Sequence, residues 1–451
     1  MILFFDQMRY DYIDRFDMKN LKRLRAMSMN YPNAVVGHIA SATVVSHLVV
    51  PTGLLPKDLP WGDNIMWDKK GIIGEKDKVL ITPALSKEDM LKGLATISPD
   101  NYLPAILLKR LKKPTFTAGE KHYPVIDMGG PAAKSMIYID DAPNETCVPG
   151  GVGIPQYISA NDRFKLNCKE IKKSPDGMAV TGNEYYPGTD KKHLGGDIWV
   201  ADIGLEYMKN EDWGGIFLTF GAIDKFGHMA GEPGKVTPLA KTLPISHEEI
   251  IKIADEQFGR IFDDLKKRKL LERTMIVITA DHGVQSATTL PVEERRKIIA
   301  GINRSGKIRA SKFDTAIRLW LSDYSKENRD AVLKALKAVP GAVQVFELDD
   351  GKSAYKMIHE NFAGQTEKFK GWSLKHNPSL VNTVAAETGP DYVVALGENV
   401  GLSDAQGDHG GVQENVQRVP IIIYTPGAKA GSDPKELRHV DIKEIVMKTM
   451  F

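Results

Sequence analysis

Short apolar runs and longer amphipathic stretches alternate along the chain. Ile2–Phe5 reads as a buried strand ending at Asp6. From Ile13 to Met29, apolar and basic residues recur at helical spacing (Phe16, Leu21, Leu24, Met27), which predicts a surface helix packed on a sheet. Ala40–Pro56 sets a hydroxyl residue, Thr43, before an apolar run and then Thr52-Gly53. This is the pattern of a loop feeding a helix that a Pro/Gly turn stops. After Pro60-Trp-Gly-Asp-Asn64 the pattern is irregular to about residue 194. That span holds helical pieces (Lys87–Ala95, Leu103–Leu111), strand-like pieces (Tyr123–Met128, Ser135–Ile139) and a Gly/Pro-rich loop, Pro149–Pro155. It reads as a cap.

Regular alternation resumes with an amphipathic helix, Asp197–Lys209, and the strand Gly215–Phe220. A long helix follows over Ser246–Lys269, opened by Ser246 with Glu249 three residues on, the spacing of a capping box. Thr274–Thr279 is a continuous apolar run rich in β-branched residues, of the kind parallel sheets use. A second insertion then carries Ala316–Leu321, the helix Lys326–Val339 and Val343–Leu348, an internal β-α-β arrangement. Tyr392–Leu396 and Val419–Tyr424 are further strands, and Asp441–Met450 is a closing helix. The expected fold is α/β, a mostly parallel sheet with helices on both faces. Its core is drawn from residues 1–65, 195–299 and 401–451, with insertions at 66–194 and 300–400. No internal repeat is present.

Composition changes this picture little. At 451 residues, with 42% hydrophobic and 26% charged positions, the chain can bury a sizeable core. A net charge of +2 makes no case for a nucleic-acid duplex as partner. No apolar run reaches the ~18–20 residues of a membrane span. Cys147 and Cys168 could close a modest loop or stay as two buried thiols. A core strand at residue 1 suggests that something upstream was removed: a secretion signal, which would place the protein in the periplasm or outside the cell, or simply a short leader, so localisation stays open. Oligomeric state is not legible.

Three acidic or histidine clusters each follow a buried strand: Asp6, Asp224-Lys-Phe-Gly-His228, and Asp281-His282-Gly283. In an open parallel sheet the carboxyl ends of strands share one edge, and ligands bind there. A fourth cluster, Asp408-His409-Gly410-Gly411, precedes Val419–Tyr424 and could reach that edge from a loop. Singly, each reads as a polar turn, and Thr43 as an ordinary N-cap. Together they offer carboxylate and imidazole ligands of the type that suits zinc, or manganese if the oxygen share is larger.

These motifs resemble the alkaline phosphatase superfamily, in its type I phosphodiesterase/nucleotide pyrophosphatase branch. The resemblance rests on the strand ending at Asp6, on Thr43 with Thr52-Gly53-Leu-Leu-Pro56, on Asp224-x-x-x-His228-x-x-Gly231, on Thr279-Ala-Asp281-His282-Gly283, and on His409-Gly410 followed by Val419-Pro420. It implies an alkaline-phosphatase-like sandwich with two divalent ions, zinc or manganese. One ion would sit on Asp224, His228 and His409, the other on Asp6, Asp281 and His282 with the Thr43 oxygen. It further implies that Asn64 holds a non-bridging phosphate oxygen, and that a phospho-Thr43 intermediate is hydrolysed by water activated on the Asp224/His228/His409 metal. The chemistry is sound without the family: coordination turns a weak hydroxyl nucleophile into an alkoxide. Two ions ~3.5–4 Å apart can hold the attacking and leaving oxygens of an in-line displacement.

Monoesterase and phosphonoacetate-hydrolase branches carry a Lys-x-Arg or Lys-x-Lys pair before a Gly-rich turn. Here Lys121 matches the first basic residue and Tyr123 stands at the second. Lys121 read alone is a solvated lysine; read with the branch, it meets substrate charge. One cation fewer favours a singly charged diester or an unusual monoester; the leading reading is a small-molecule phosphodiester or pyrophosphate. A phosphate monoesterase or phosphonate hydrolase is the alternative, with a phosphomutase or an inactive metal-binding homologue more remote. His47, one turn after Thr43, fits either an orienting role behind the site or a satisfied core histidine. His38, His122 and His193 carry no motif.

Overall fold

The computed structural model describes residues 1–142, 146–169, 183–185, 196–233, 246–287, 289–349, 351 and 353–451. The side chains of Cys147 and Cys168, and all of His193, lie outside the described residues. Five consecutive parallel strands form the centre of an eleven-stranded sheet, in the order Ile276–Thr279, Ile2–Phe5, Gly215–Phe220, Thr115–Gly119 and Ser135–Ala142. Antiparallel pairings extend both sides, beginning with Ile422–Tyr424 next to Ile276–Thr279 and with Thr146–Val152 next to Ser135–Ala142. Ile2–Phe5 is completely buried at the middle, as its unbroken apolar run requires.

The register brings several strand ends level. Phe5 pairs with Phe220, Phe4 with Thr279, and Thr219 with Gly119. Four parallel strands therefore end together, and the residues just beyond them (Asp6, Lys121, Asp224 and Asp281) leave the sheet at one edge.

The helix Thr43–Thr52 crosses above that edge with all ten of its residues buried. Val44 and Leu48 pack with Trp61, Val125 and Ile126; Val45 and Val49 pack with Phe346 and Val393; Val50 meets Phe4 and Ile442. Valines make poor intrinsic helix, so packing supplies the stability, roughly 1.5–3 kcal/mol per buried Val or Leu side chain. The lack of a polar face follows from contact on every side. Gly53, at φ 63°, ends the helix in the left-handed conformation that glycine adopts without strain.

The second insertion builds its own antiparallel sheet, Ile308–Phe313, Ala316–Leu321, Tyr392–Leu396, Ala342–Leu348 and Tyr355–Glu360 in that spatial order. One face carries Val343, Phe346, Val393 and Ala395 against the Thr43 helix.

Several elements differ from the sequence reading. The span 66–194 is not only a cap, because it supplies two of the five central parallel strands, Thr115–Gly119 and Ser135–Ala142. Tyr123–Met128 lies in a helix, His122–Gly129, not a strand; a short apolar run fits both, and Pro124 suits a helix's first turn. Thr146–Val152 is a strand through part of the Gly/Pro-rich stretch. Ile13–Met29 is two short helices, Tyr12–Arg15 and Lys19–Arg25, because Asp17 turns left-handed at φ 49°.

Candidate active site

At the shared edge the scattered clusters meet. Asp224, His228 and His409 form one group of donor atoms lying within 4.8 Å of one another, and Asp6, Asp224 and His282 form a second. Asp224 belongs to both. Its Oδ1 lies 3.2 Å from His228 Nε2 and 3.9 Å from His409 Nε2. His282 Nε2 lies 3.5 Å from Asp6 Oδ1 and 3.3 Å from Asp281 Oδ2. The sequence assigned Asp281, not Asp224, to the second set; the structure brings both to it. The His282 and His409 rings stack, with centroids 3.6 Å apart.

Backbone carbonyls orient the three imidazoles. Each Nδ1 faces a carbonyl oxygen: His282 that of Gly283 at 3.0 Å, His409 that of Ser41 at 3.1 Å, and His228 that of Gly407 at 2.9 Å. A carbonyl only accepts, so Nδ1 carries the proton and Nε2 presents a lone pair to the centre in the neutral ring. Metal-ligating histidines are held in this way.

The carboxylates are unevenly satisfied. Asp281 Oδ1 accepts from the Gln7 and His282 amides at 3.0 and 2.9 Å, while its Oδ2 and Asp6 Oδ1 are buried without a hydrogen-bond partner among the described residues. Lys121 Nζ donates to Asp6 Oδ2 at 2.6 Å and to Asp224 Oδ2 at 2.5 Å. Burial, then the charges of Asp224 and Asp281, push Asp6 well above the usual carboxylate range. Burial also raises Asp224, but Lys121, His228 and His409 outweigh it and hold that carboxyl well below the usual range. Burial keeps His282 and His409 neutral, whereas for His228 the Asp224 charge overcomes burial and raises it to about 9. Orphaned buried oxygens beside repelling carboxylates and neutral Nε2 donors are what divalent cations satisfy, so this donor set fits a pair of them.

Thr43 is the first residue of its helix; Ala42 occupies the N-cap, so the ordinary capping role is excluded. Thr43 Oγ1 lies 3.4 Å from His282 Nε2. His47 settles as a satisfied core residue that also fixes this turn. Its Nδ1 donates to the Thr43 carbonyl at 2.8 Å, its Nε2 lies 2.9 Å from Thr219 Oγ1, and its ring packs on Phe4. Asn64 makes its described contacts elsewhere. Its backbone bonds Asp63 and Thr82, and its side-chain oxygen is buried without a partner among the described residues.

The model of the family described as type I phosphodiesterase/nucleotide pyrophosphatase matches residues 1–88 and 154–411. The chain belongs to that family. The match contains Thr43, Asn64 and all six acid and imidazole residues of the two groups; Lys121 falls in the span it leaves out. Among solved structures, proteins from mouse and human resemble this chain. Murine ectonucleotide pyrophosphatase/phosphodiesterase 5 has 14% identity and a TM-score of 0.58, the alignment covering 100% of this chain and 94% of that one. Its human counterpart has 13% identity and a TM-score of 0.59 at the same coverage. The alkaline phosphatase PafA has 15% identity and a TM-score of 0.67, covering 100% and 95%. At such identities these likenesses show the fold, an alkaline-phosphatase-like α/β sandwich. No curated protein matches the chain in sequence.

Two features go beyond the sequence reading. Lys121 bridges two of the carboxylates because it lies just past a central parallel strand, which the irregular pattern around it concealed. Gln7 touches two of them as well, and its place directly after Asp6 was its only signal.

Proposed function

We propose that this family member is a two-metal phosphoric ester hydrolase acting on small phosphodiesters or pyrophosphates through Thr43. The observation that carries the reading is a hydroxyl at a helix N-terminus, 3.4 Å from His282 Nε2, a member of one of two carboxylate–imidazole groups that share Asp224. Asp224, His228 and His409 would hold one cation, and Asp6, Asp281 and His282 the other, with Asp224 within reach of this second position as well. Bound there, zinc or manganese would supply Lewis acidity that lowers the pKa of the hydroxyl and meets negative charge on the phosphoryl group.

This chain's own groups do the rest. Thr43 Oγ attacks phosphorus, the bond to the leaving oxygen breaks, and water then hydrolyses the phosphothreonine, returning the hydroxyl and releasing the phosphoryl product. The free N–H groups at the start of the Thr43 helix, and the Lys121 ammonium, face developing charge on the non-bridging oxygens. Asn64 would bind one of these oxygens with its side-chain amide. The murine relative was also solved in an inactive threonine-to-alanine form in complex with AMP, which supports a threonine nucleophile and a nucleotide-sized substrate.

One observation favours a second reading. Lys121 enters the centre, and alkaline phosphatase PafA was solved with a threonine, an asparagine, a lysine and an arginine altered together. A monoesterase would use such cations. Here Tyr123 stands two residues after Lys121, leaving one cation and favouring the diester. Zinc-reconstituted protein should turn over bis-p-nitrophenyl phosphate faster than p-nitrophenyl phosphate. The reverse order favours the monoesterase, and failure to turn over these or any other phosphate ester at full metal content overturns the enzyme reading.

A further inference from the structure

Gln7 occupies a position where a glutamine is doubly unfavourable. Its φ is 68°, in the left-handed region that a glycine would adopt without strain. Its side chain is completely buried, and Oε1 has no hydrogen-bond partner among the described residues. Opposite it, Gly227 sits inside the helix Ala222–Ala230, between Asp224 and His228, where glycine weakens a helix. A Cβ on Gly227 would come within 1.6 Å of Gln7 Oε1. Two locally poor residues thus accommodate one another, and such conflicts mark functional positions.

The contacts supply the reason. Gln7 follows Asp6 in a turn closed by the Met8 N–H to the Phe5 carbonyl. Its backbone N–H donates to Asp281 Oδ1 at 3.0 Å, and its side-chain Nε2 donates to Asp224 Oδ1 at 3.0 Å. The amide orientation is fixed, because an ionised carboxylate accepts only. One residue therefore joins Asp6, Asp281 and Asp224. By occupying a lone pair of Asp224 Oδ1, the oxygen nearest His228, it holds that carboxylate rotated so that Oδ2 points to the Asp6 side, where it meets Lys121.

We propose that Gln7 is a positioning residue that fixes the rotation of Asp224 so that this one carboxylate serves both cation positions, with Gly227 kept bare to admit it. The inference rests on the two-cation reading above. Gln7→Met keeps the volume and the strained φ but removes the donor. Gly227→Ala improves helix propensity yet displaces the Gln7 amide, and neither residue is a ligand. Metal-free chain is titrated with Zn2+ by calorimetry, and the visible absorption of the Co2+-loaded chain is recorded.

Wild type should take up two ions per chain. Each variant should bind at least one of them about 10–100-fold more weakly, with an altered Co2+ spectrum and little change in the melting of the metal-free chain. Wild-type affinity at both positions and an unchanged spectrum in both variants would overturn the role of Gln7 and leave the two-cation reading standing. Failure of the wild type to bind two ions would overturn that reading and the inference with it.

Discussion

The two halves of the site are built by different means. Asp6, Asp281 and His282 stand at the ends of two central strands, and all three side chains are fully buried. Asp224, His228 and His409 come from a nine-residue helix and a loop, and His228 is 25% exposed. Charge follows exposure and not the half as a whole. Burial keeps His282 neutral on the dry side and His409 neutral too, whereas Asp224 raises His228 to about 9 on the open side. The strand half is preorganised by the sheet itself. The helix half depends on contacts that hold it, and it is where solvent can arrive. Thr43 stands on the strand half, 3.4 Å from His282.

The largest effect comes from that placement. Thr43→Ala should lower turnover by at least about a thousandfold while leaving metal content unchanged, as removal of a nucleophile does. Acid-quenched wild-type enzyme should carry phosphate on Thr43, seen by mass spectrometry, and the variant none. Substantial turnover by the variant at equal metal content would detach the hydroxyl from the chemistry.

Next comes the asymmetry between shared and unshared ligands. Asp224→Ala should weaken both cations by more than about 100-fold, beyond the usual cost of losing an orienting contact. Asp281→Ala should weaken only one. Metal content after dialysis gives the answer, and equal losses in the two variants would mean that the halves do not share Asp224.

The strand half was legible in the sequence, and the helix half only partly so. An apolar run ending in Asp6, or in Thr279-Ala-Asp281-His282, announces a buried strand with a polar turn at its carboxyl end, because parallel strands carry continuous apolar character. The convergence of these turns on one sheet edge obeyed the same logic. The setting of Lys121 was obscured for a physical reason: Thr115-Phe-Thr-Ala-Gly119 is short, mixes hydroxyl and small residues, and is buried only because strands flank it on both sides. The His122–Gly129 helix was missed since a brief apolar run has no period to read. Rotation of Asp224 by Gln7 belongs to tertiary structure, and no spacing in the chain encodes it.

Lys121 tests where the halves join, since it bridges Asp6 and Asp224. As a charge-assisted donor worth ~1.5–3 kcal/mol, its loss in Lys121→Met should lower kcat/KM roughly 10–100-fold for p-nitrophenyl phosphate. The loss should be smaller for the bis-ester, which carries one charge less. An equal loss on both substrates would assign Lys121 to holding the carboxylates instead of substrate charge.

The smallest effect concerns the support of the helix half from behind. His247 is the first residue of the helix His247–Lys267 and is buried beside the Ile223 and Gly231 backbone of the Asp224 helix. Burial lowers its pKa to about 4 from an ordinary 6.5. Below pH 6.5 the unfolded chain binds a proton that the folded chain refuses until about pH 4, so this contribution is full above pH 6.5 and falls away as the solution is acidified. Between pH 8 and pH 6 the loss comes to roughly 1 kcal/mol. His247→Gln should flatten that part of the melting-temperature profile, measured on metal-free protein so that ligand protonation on added metal plays no part. If the variant keeps the wild-type slope over this range, the acid sensitivity of the helix half has another source.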